Sequence, residues 1–128
     1  MTNGALLLGR ILMAAIFIIA GFGKLMAPAV TQAMMARYGL PVPVMAYGVT
    51  VVVELGGGLL LLLGFFTRPV AIALGLWCIA TALVAHTNFA DASMRAHFMK
   101  NVAMAGGFAY VWATGAGAWS IDAWRARR

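Results

Sequence analysis

Apolar residues in this chain run in long blocks instead of alternating with polar ones, and the block lengths predict helices that cross a membrane. Residues 69–90 and 101–121 contain no Asp, Glu, Lys or Arg. Each stretch is long enough to span the ~30 Å hydrocarbon core as helix. Two further apolar segments, residues 5–26 and 44–66, carry internal charges. Spans are therefore expected at about 5–26, 44–66, 69–88 and 100–119. Pro28 stops the first from continuing, and Gly39, Pro41 and Pro43 reset the chain before the second. Between them, residues 29–39 place Val30, Ala33, Met34 and Tyr38 at helical spacing opposite Thr31, Gln32 and Arg37, the pattern of a short helix lying in the interface. Residues 65–69 form a tight hairpin, and residues 89–99, with Asp91, Arg95 and His97, form a polar connection. The expected fold is all-α, a four-transmembrane-helix bundle with one short interfacial helix, in a single integral-membrane domain over residues 1–128.

Composition removes the alternatives. The chain is 64% hydrophobic and 9% charged, against roughly 25% charged in an ordinary soluble domain. The start of the chain resembles a signal peptide, since Ala27-Pro28-Ala29 imitates a cleavage site, but three more apolar segments follow and it is read as a retained span. Net charge is +6, yet the basic residues outside the apolar segments cluster only at Arg125, Arg127 and Arg128, which suit phospholipid head groups and not nucleic acid. The expected partner is the bilayer, with a partner subunit or a second copy of the chain as further candidates. Counting loop cations, the termini side has Arg68, Arg125, Arg127 and Arg128 and the other side Arg37 and Arg95, which favours cytoplasmic termini. The one cysteine, Cys78, sits in the middle of the third span, so the chain has no dithiol with which to exchange electrons.

Charge inside the membrane then selects the candidate site. Glu54 is about ten residues into its span, where an ionised carboxylate costs at least ~2.5 kcal/mol and calls for a partner. Threading the spans up and down brings Lys24, His86, Lys100 and Asn101 toward the same end. They form, with Glu54, an expected buried polar pocket opening to the non-cytoplasmic side. Arg10 joins the set because Arg10, Ala14, Phe17, Gly21 and Lys24 share one helical stripe. It lies about 21 Å from Lys24 at ~1.5 Å per residue, so the two cations serve opposite leaflets. Gly56, Gly57 and Gly58, with Gly106 and Gly107, allow either close helix packing or room for a flat ligand. Methionine is enriched near the outward loops, and Met34, Met35, Met94, His97 and Met99 offer thioether and imidazole donors of the kind that suit Cu(I).

Together Arg10, Gly21-Phe22-Gly23-Lys24-Leu25, Glu54-Leu55-Gly56-Gly57, Thr67-Arg68, His86, Lys100-Asn101 and Gly106-Gly107 resemble the DoxX family of small bacterial membrane proteins, over about residues 6–122. The resemblance implies a four-helix inner-membrane protein in a functionally mixed family often linked to quinone-dependent or redox-related complexes. It carries the family's polar positions onto Arg10, Lys24, Glu54, His86, Lys100 and Asn101. Three functions follow as expectations. One is a redox-associated subunit binding a quinone near Glu54 and His86, with Lys24 or Lys100 stabilising a reduced oxyanion, as a component of a quinone-dependent oxidoreductase. Another is a non-catalytic assembly or transport-accessory protein, and the third a copper-handling membrane protein.

Overall fold

The computed structural model describes residues 2–128. These residues form helices and no strands. The order is α1 (Thr2–Met26), α2 (Pro28–Arg37), α3 (Pro43–Leu63), α4 (Thr67–Ala85), α5 (Ala92–Thr114) and α6 (Ile121–Ala126). Pro28 and Pro43 each sit at the first position of their helix, where the missing N–H has no intrahelical partner to lose. The four long helices form the bundle, and α1, α3 and α4 are long and apolar enough to cross a membrane.

The fourth long helix differs from the expected residues 100–119. It begins eight residues earlier, at Ala92, because the Asp91 carboxylate caps it by accepting from Ser93 N (2.8 Å) and Met94 N (3.3 Å). The segment expected as a polar connection is thus largely the first two turns of α5. The helix ends at Thr114, where Gly115 (φ 74°) turns the chain, so residues 115–120 are not helical. Arg95, His97 and Lys100 ride on its first turns, and α5 is less apolar than the other three for that reason.

Helix packing divides the bundle into two pairs, α1 along α3 and α4 along α5. Small residues permit the close approaches. A Cβ on Gly21 would lie 2.6 Å from Leu55 N of α3, and one on Gly58 would lie 2.9 Å from Ile18 of α1. Where the pairs meet, Ala14, Phe17, Leu61, Leu74, Cys78 and Phe108 make a fully enclosed core, with the Phe17 and Phe108 rings 5.5 Å apart. Much apolar surface outside it stays exposed, including Ile19, Val52, Leu76 and Leu83, as lipid contact requires.

The short helix α2 keeps only part of its expected face, since Met34 and Tyr38 turn inward and Arg37 outward while Val30 and Thr31 exchange sides. Thr31 and Met35 are buried and Val30 is 72% exposed. Where the solvent is hydrocarbon, Val30 gains nothing from the interior, whereas the Thr31 hydroxyl settles inward on the Ala27 carbonyl at 2.8 Å.

Candidate functional site

Glu54 owes its position to a register change. Residues Val52–Gly56 of α3 are π-helical, a wider turn that departs from the α-helical hydrogen-bond ladder and is frequent at functional positions. The turn leaves Glu54 7% exposed, facing the bundle. Its Oε2 accepts from Lys24 Nζ of α1 at 2.6 Å, and its Oε1 accepts from the Trp77 indole N–H of α4 at 3.3 Å. The carboxylate is thereby held by one full charge and one neutral donor from two different helices, so it is fixed in direction as well as compensated.

This group forms the deep wall of a cavity of about 700 Å³ between the two helix pairs. Apolar side chains such as Ile16, Phe17, Val49 and Met104 supply most of the remaining wall, and α2 contributes Met34, Met35 and Tyr38. At the rim stand His86, just past the end of α4, with His97 and Lys100 on the first turns of α5. The two imidazoles stack at 5.1 Å between centroids, and Lys100 Nζ donates to His97 Nδ1 at 3.2 Å. Asn101 is 8% exposed, donates to the His97 carbonyl at 3.0 Å and accepts from the Thr81 hydroxyl at 3.4 Å. The Asn101 side chain thus ties the rim to α4.

Lys24, Glu54, His86, Lys100 and Asn101 accordingly line one cavity, but only Lys24 touches Glu54 among the polar groups expected there. Arg10 stands apart and does not belong to that pocket. It is 2% exposed at the other end of α1, where Nη1 donates to Leu62 O at 3.4 Å and Nη2 to Trp119 O. The shared stripe with Ala14, Phe17 and Gly21 is buried as expected, yet the length of the helix carries Arg10 to the far end of the bundle. There it donates to the Leu62 carbonyl at the C-terminal end of α3, where a cation is favoured.

Asp122 closes the same end. Its carboxylate accepts from Phe66 N (2.9 Å) and Thr67 N (2.8 Å), and its own N–H donates to Gly64 O (2.9 Å). Burial alone would raise its pKa, but the Thr67 and Phe66 hydrogen bonds and the nearby Arg125 outweigh that and leave it below the ordinary aspartate value.

Of the five glycines for which close packing or ligand room was expected, three make close packing contacts, while Gly56 and Gly106 meet nothing within 4 Å. Gly57 meets Leu74, Gly58 meets Ile18 and Gly107 meets Met13, and none of the three lines the cavity. The five sulfur and imidazole candidates do not gather into one set either. Met34, Met35 and His97 line the cavity, Met94 lies against His86 Nδ1 at 3.5 Å, and Met99 is 61% exposed. Trp77 was not singled out from the sequence, because an aromatic residue in an apolar span reads as core or lipid contact.

Membrane-spanning helices packed around an open, largely apolar cavity that carries an ion pair define a small polytopic membrane protein. The DoxX family model matches residues 5–87, and the chain belongs to the DoxX family. It is 42% identical over 116 residues to inner membrane protein YqjF of Escherichia coli K12, covering 91% of this chain and 88% of that protein. It is 40% identical over 122 residues to inner membrane protein YphA of the same organism, covering 91% and 87%. No solved structure matches. The family match includes Lys24, Glu54, Trp77 and His86 and stops before α5, so Lys100 and Asn101 lie beyond it. The chain is an inner-membrane protein, as its apolar helices and these relatives agree.

Proposed function

We propose that this protein is a redox-associated membrane subunit whose cavity holds a quinone-like ring beside the Lys24–Glu54 pair. The observation that carries the reading is an apolar cavity of about 700 Å³ with an ammonium, a carboxylate and an indole N–H on its deep wall. That volume is within the roughly 300–1,000 Å³ of small-ligand sites, and a few convergent polar groups in apolar walls are what orient a ring. A quinone supplies two-electron, two-proton chemistry when bound. Lys24 provides a charge-assisted donor to a ring oxygen that gains negative charge, and Glu54, released from Lys24, takes up or gives a proton there. His86 at the rim exchanges protons with the outside. Cys78 is a single buried thiol, so electrons come from a partner subunit with its own redox centre.

In the same reading α5 is the fourth crossing, both termini are cytoplasmic and the cavity opens away from the cytoplasm, which reporters fused at Arg128 and beside Arg95 would read. Mass spectrometry of small molecules extracted from gently purified protein tests the function. A quinone is expected in the parent and depleted in Lys24→Met. A quinone content no higher than in an unrelated membrane protein purified in parallel refutes the reading; a defined protein partner in its place favours an accessory role, and stoichiometric copper favours metal handling.

A further inference from the structure

The rim of the cavity carries a charge that this chain does not neutralise. Only three acidic residues occur in the sequence, and each is already engaged. Glu54 is bound by Lys24, Asp91 caps α5 through Ser93 N and Met94 N, and Asp122 accepts from Phe66 N and Thr67 N at the opposite end. Lys100, lining the cavity, is left without a carboxylate among the described residues. Its one side-chain partner there is His97 Nδ1. Lysine has only donors, so that nitrogen accepts and the imidazole proton sits on Nε2, which adds an N–H to the rim. Two ammonium N–H groups of Lys100 remain free to meet a ligand. His86, stacked on His97, lines the same mouth.

Behind this cationic rim the walls are mostly apolar, with Asn101, Thr81 and Thr50 as polar exceptions, as far as the Lys24–Glu54 pair, whose two charges cancel. The complementary molecule therefore has one anionic end and an apolar body. We propose that Lys100, His97 and His86 form a head-group subsite, and that the cavity admits a single-chain amphiphile with its carboxylate or phosphate on Lys100 and its acyl chain inside. Charge complementarity selects the head, and the cavity, of a size for one small ligand, selects a single chain. The rim contacts use neither Lys24 nor Glu54, so the charge preference is testable whatever binds at the deep wall, while a ring and an acyl chain would compete for the same cavity.

The test uses the full protein in a non-ionic detergent with four probes of equal chain length: dodecanoate, dodecyl phosphate, dodecanol and dodecylammonium. Native mass spectrometry and thermal shift read retention of one equivalent. The two anions are expected to bind and the alcohol and the cation to be at least about tenfold weaker, the size expected for a charge-assisted hydrogen bond. Lys100→Gln, at an exposed position, should remove that preference and leave folding intact. Arg37→Gln, an exposed cation outside the cavity, controls for general attraction to a basic protein and should change nothing. Equal retention of dodecanol, an unaltered Lys100→Gln, or equal loss in Arg37→Gln would overturn the proposal. Lipids extracted from the purified protein separate the sources: a free fatty acid or an acidic single-chain lysophospholipid supports the proposal, and two-chain or zwitterionic phospholipid alone counts against it.

Discussion

Removing either partner of the Lys24–Glu54 pair should destabilise the protein unequally, and the asymmetry follows from burial. The Glu54 side chain is 10% exposed and that of Lys24 is 22% exposed. Lys24→Met leaves a deep carboxylate with one neutral donor, the Trp77 indole. Breaking a fully buried pair in this way costs about 3–5 kcal/mol, and the adjoining cavity, by admitting water, lowers the expectation to about 2–3 kcal/mol. Glu54→Gln is milder. The amide oxygen still accepts from Trp77 or Lys24, and the Lys24 stem is long enough to carry the ammonium toward the cavity, so about 1 kcal/mol is expected. In the double variant both charges are gone, and the coupling should exceed ~1 kcal/mol in the direction of recovered stability. Reversible unfolding in mixed micelles, on the parent, both single variants and the double variant, measures all four corners. Strictly additive losses, with coupling below the ~0.3–0.5 kcal/mol typical of independent sites, would refute the pairing argument. A larger loss in Glu54→Gln than in Lys24→Met would refute the argument from burial.

Two further outcomes probe packing and the opposite end of the bundle. Gly21→Ala sets a Cβ 2.6 Å from Leu55 N. Relief to an ordinary contact moves the helices apart by about 0.8 Å, so the overpacking cost of ~1–3 kcal/mol should exceed the ~1 kcal/mol gained in helix propensity. Gly106→Ala, which meets nothing within 4 Å, should be neutral or stabilising; equal melting temperatures for the two variants would contradict the packing account. Asp122 has a folded pKa below the ordinary aspartate value, so its contribution is fully present above that value and is lost as pH falls through the depressed one. The stability difference between the parent and Asp122→Asn should therefore be constant from neutrality to about pH 5 and shrink as the pH drops below ~4. A difference that persists undiminished in acid would show that the carboxylate is not what fastens α6.

The helices were legible because membrane crossing demands long apolar runs, and Glu54 was legible because a carboxylate in such a run is costly. Hydrogen-bond register leaves no comparable mark. The π-helical turn at Val52–Gly56 is made of residues equally content in an α-helix, so nothing in their order announces that Glu54 is re-aimed. Trp77 was hidden for a related reason, since its ring suits the apolar span whether or not the N–H finds an acceptor. Asp91 was readable in principle, as an N-cap residue two positions before Ser93, but the charged run that follows it suggested a connection and not the opening of a helix. The burial of Thr31 in place of Val30 on α2 has another origin: ordinary amphipathic reasoning assumes water outside, and an element bordered by lipid can direct its polar atoms inward.

The same physics accounts for the roomier cavity at one end of the bundle, about 700 Å³ against about 320 Å³ for the pocket beside Asp122 at the other. At the closed end Arg10 gathers carbonyls from Leu62 and Trp119, while Asp122 binds both backbone N–H groups that open α4, so the first helix, the α3–α4 turn and the C-terminal segment are tied through polar groups. The turn itself needs Gly64, whose left-handed φ of 66° coincides with the closest approach of the Arg10 guanidinium. Beyond the Phe17–Phe108 contact, the direct polar links between the two helix pairs reduce to the Trp77–Glu54 hydrogen bond, and Lys24–Glu54 lies within one pair. Helices fastened at one end and joined by a single hydrogen bond toward the other leave space there. That space is lined by ionisable side chains, and replacing a buried ion pair with well-packed hydrophobic residues is often neutral or stabilising, so stability alone does not require the pair. In the proposed reading, the position of Glu54 answers to the ligand that enters the cavity as well as to the helices it joins.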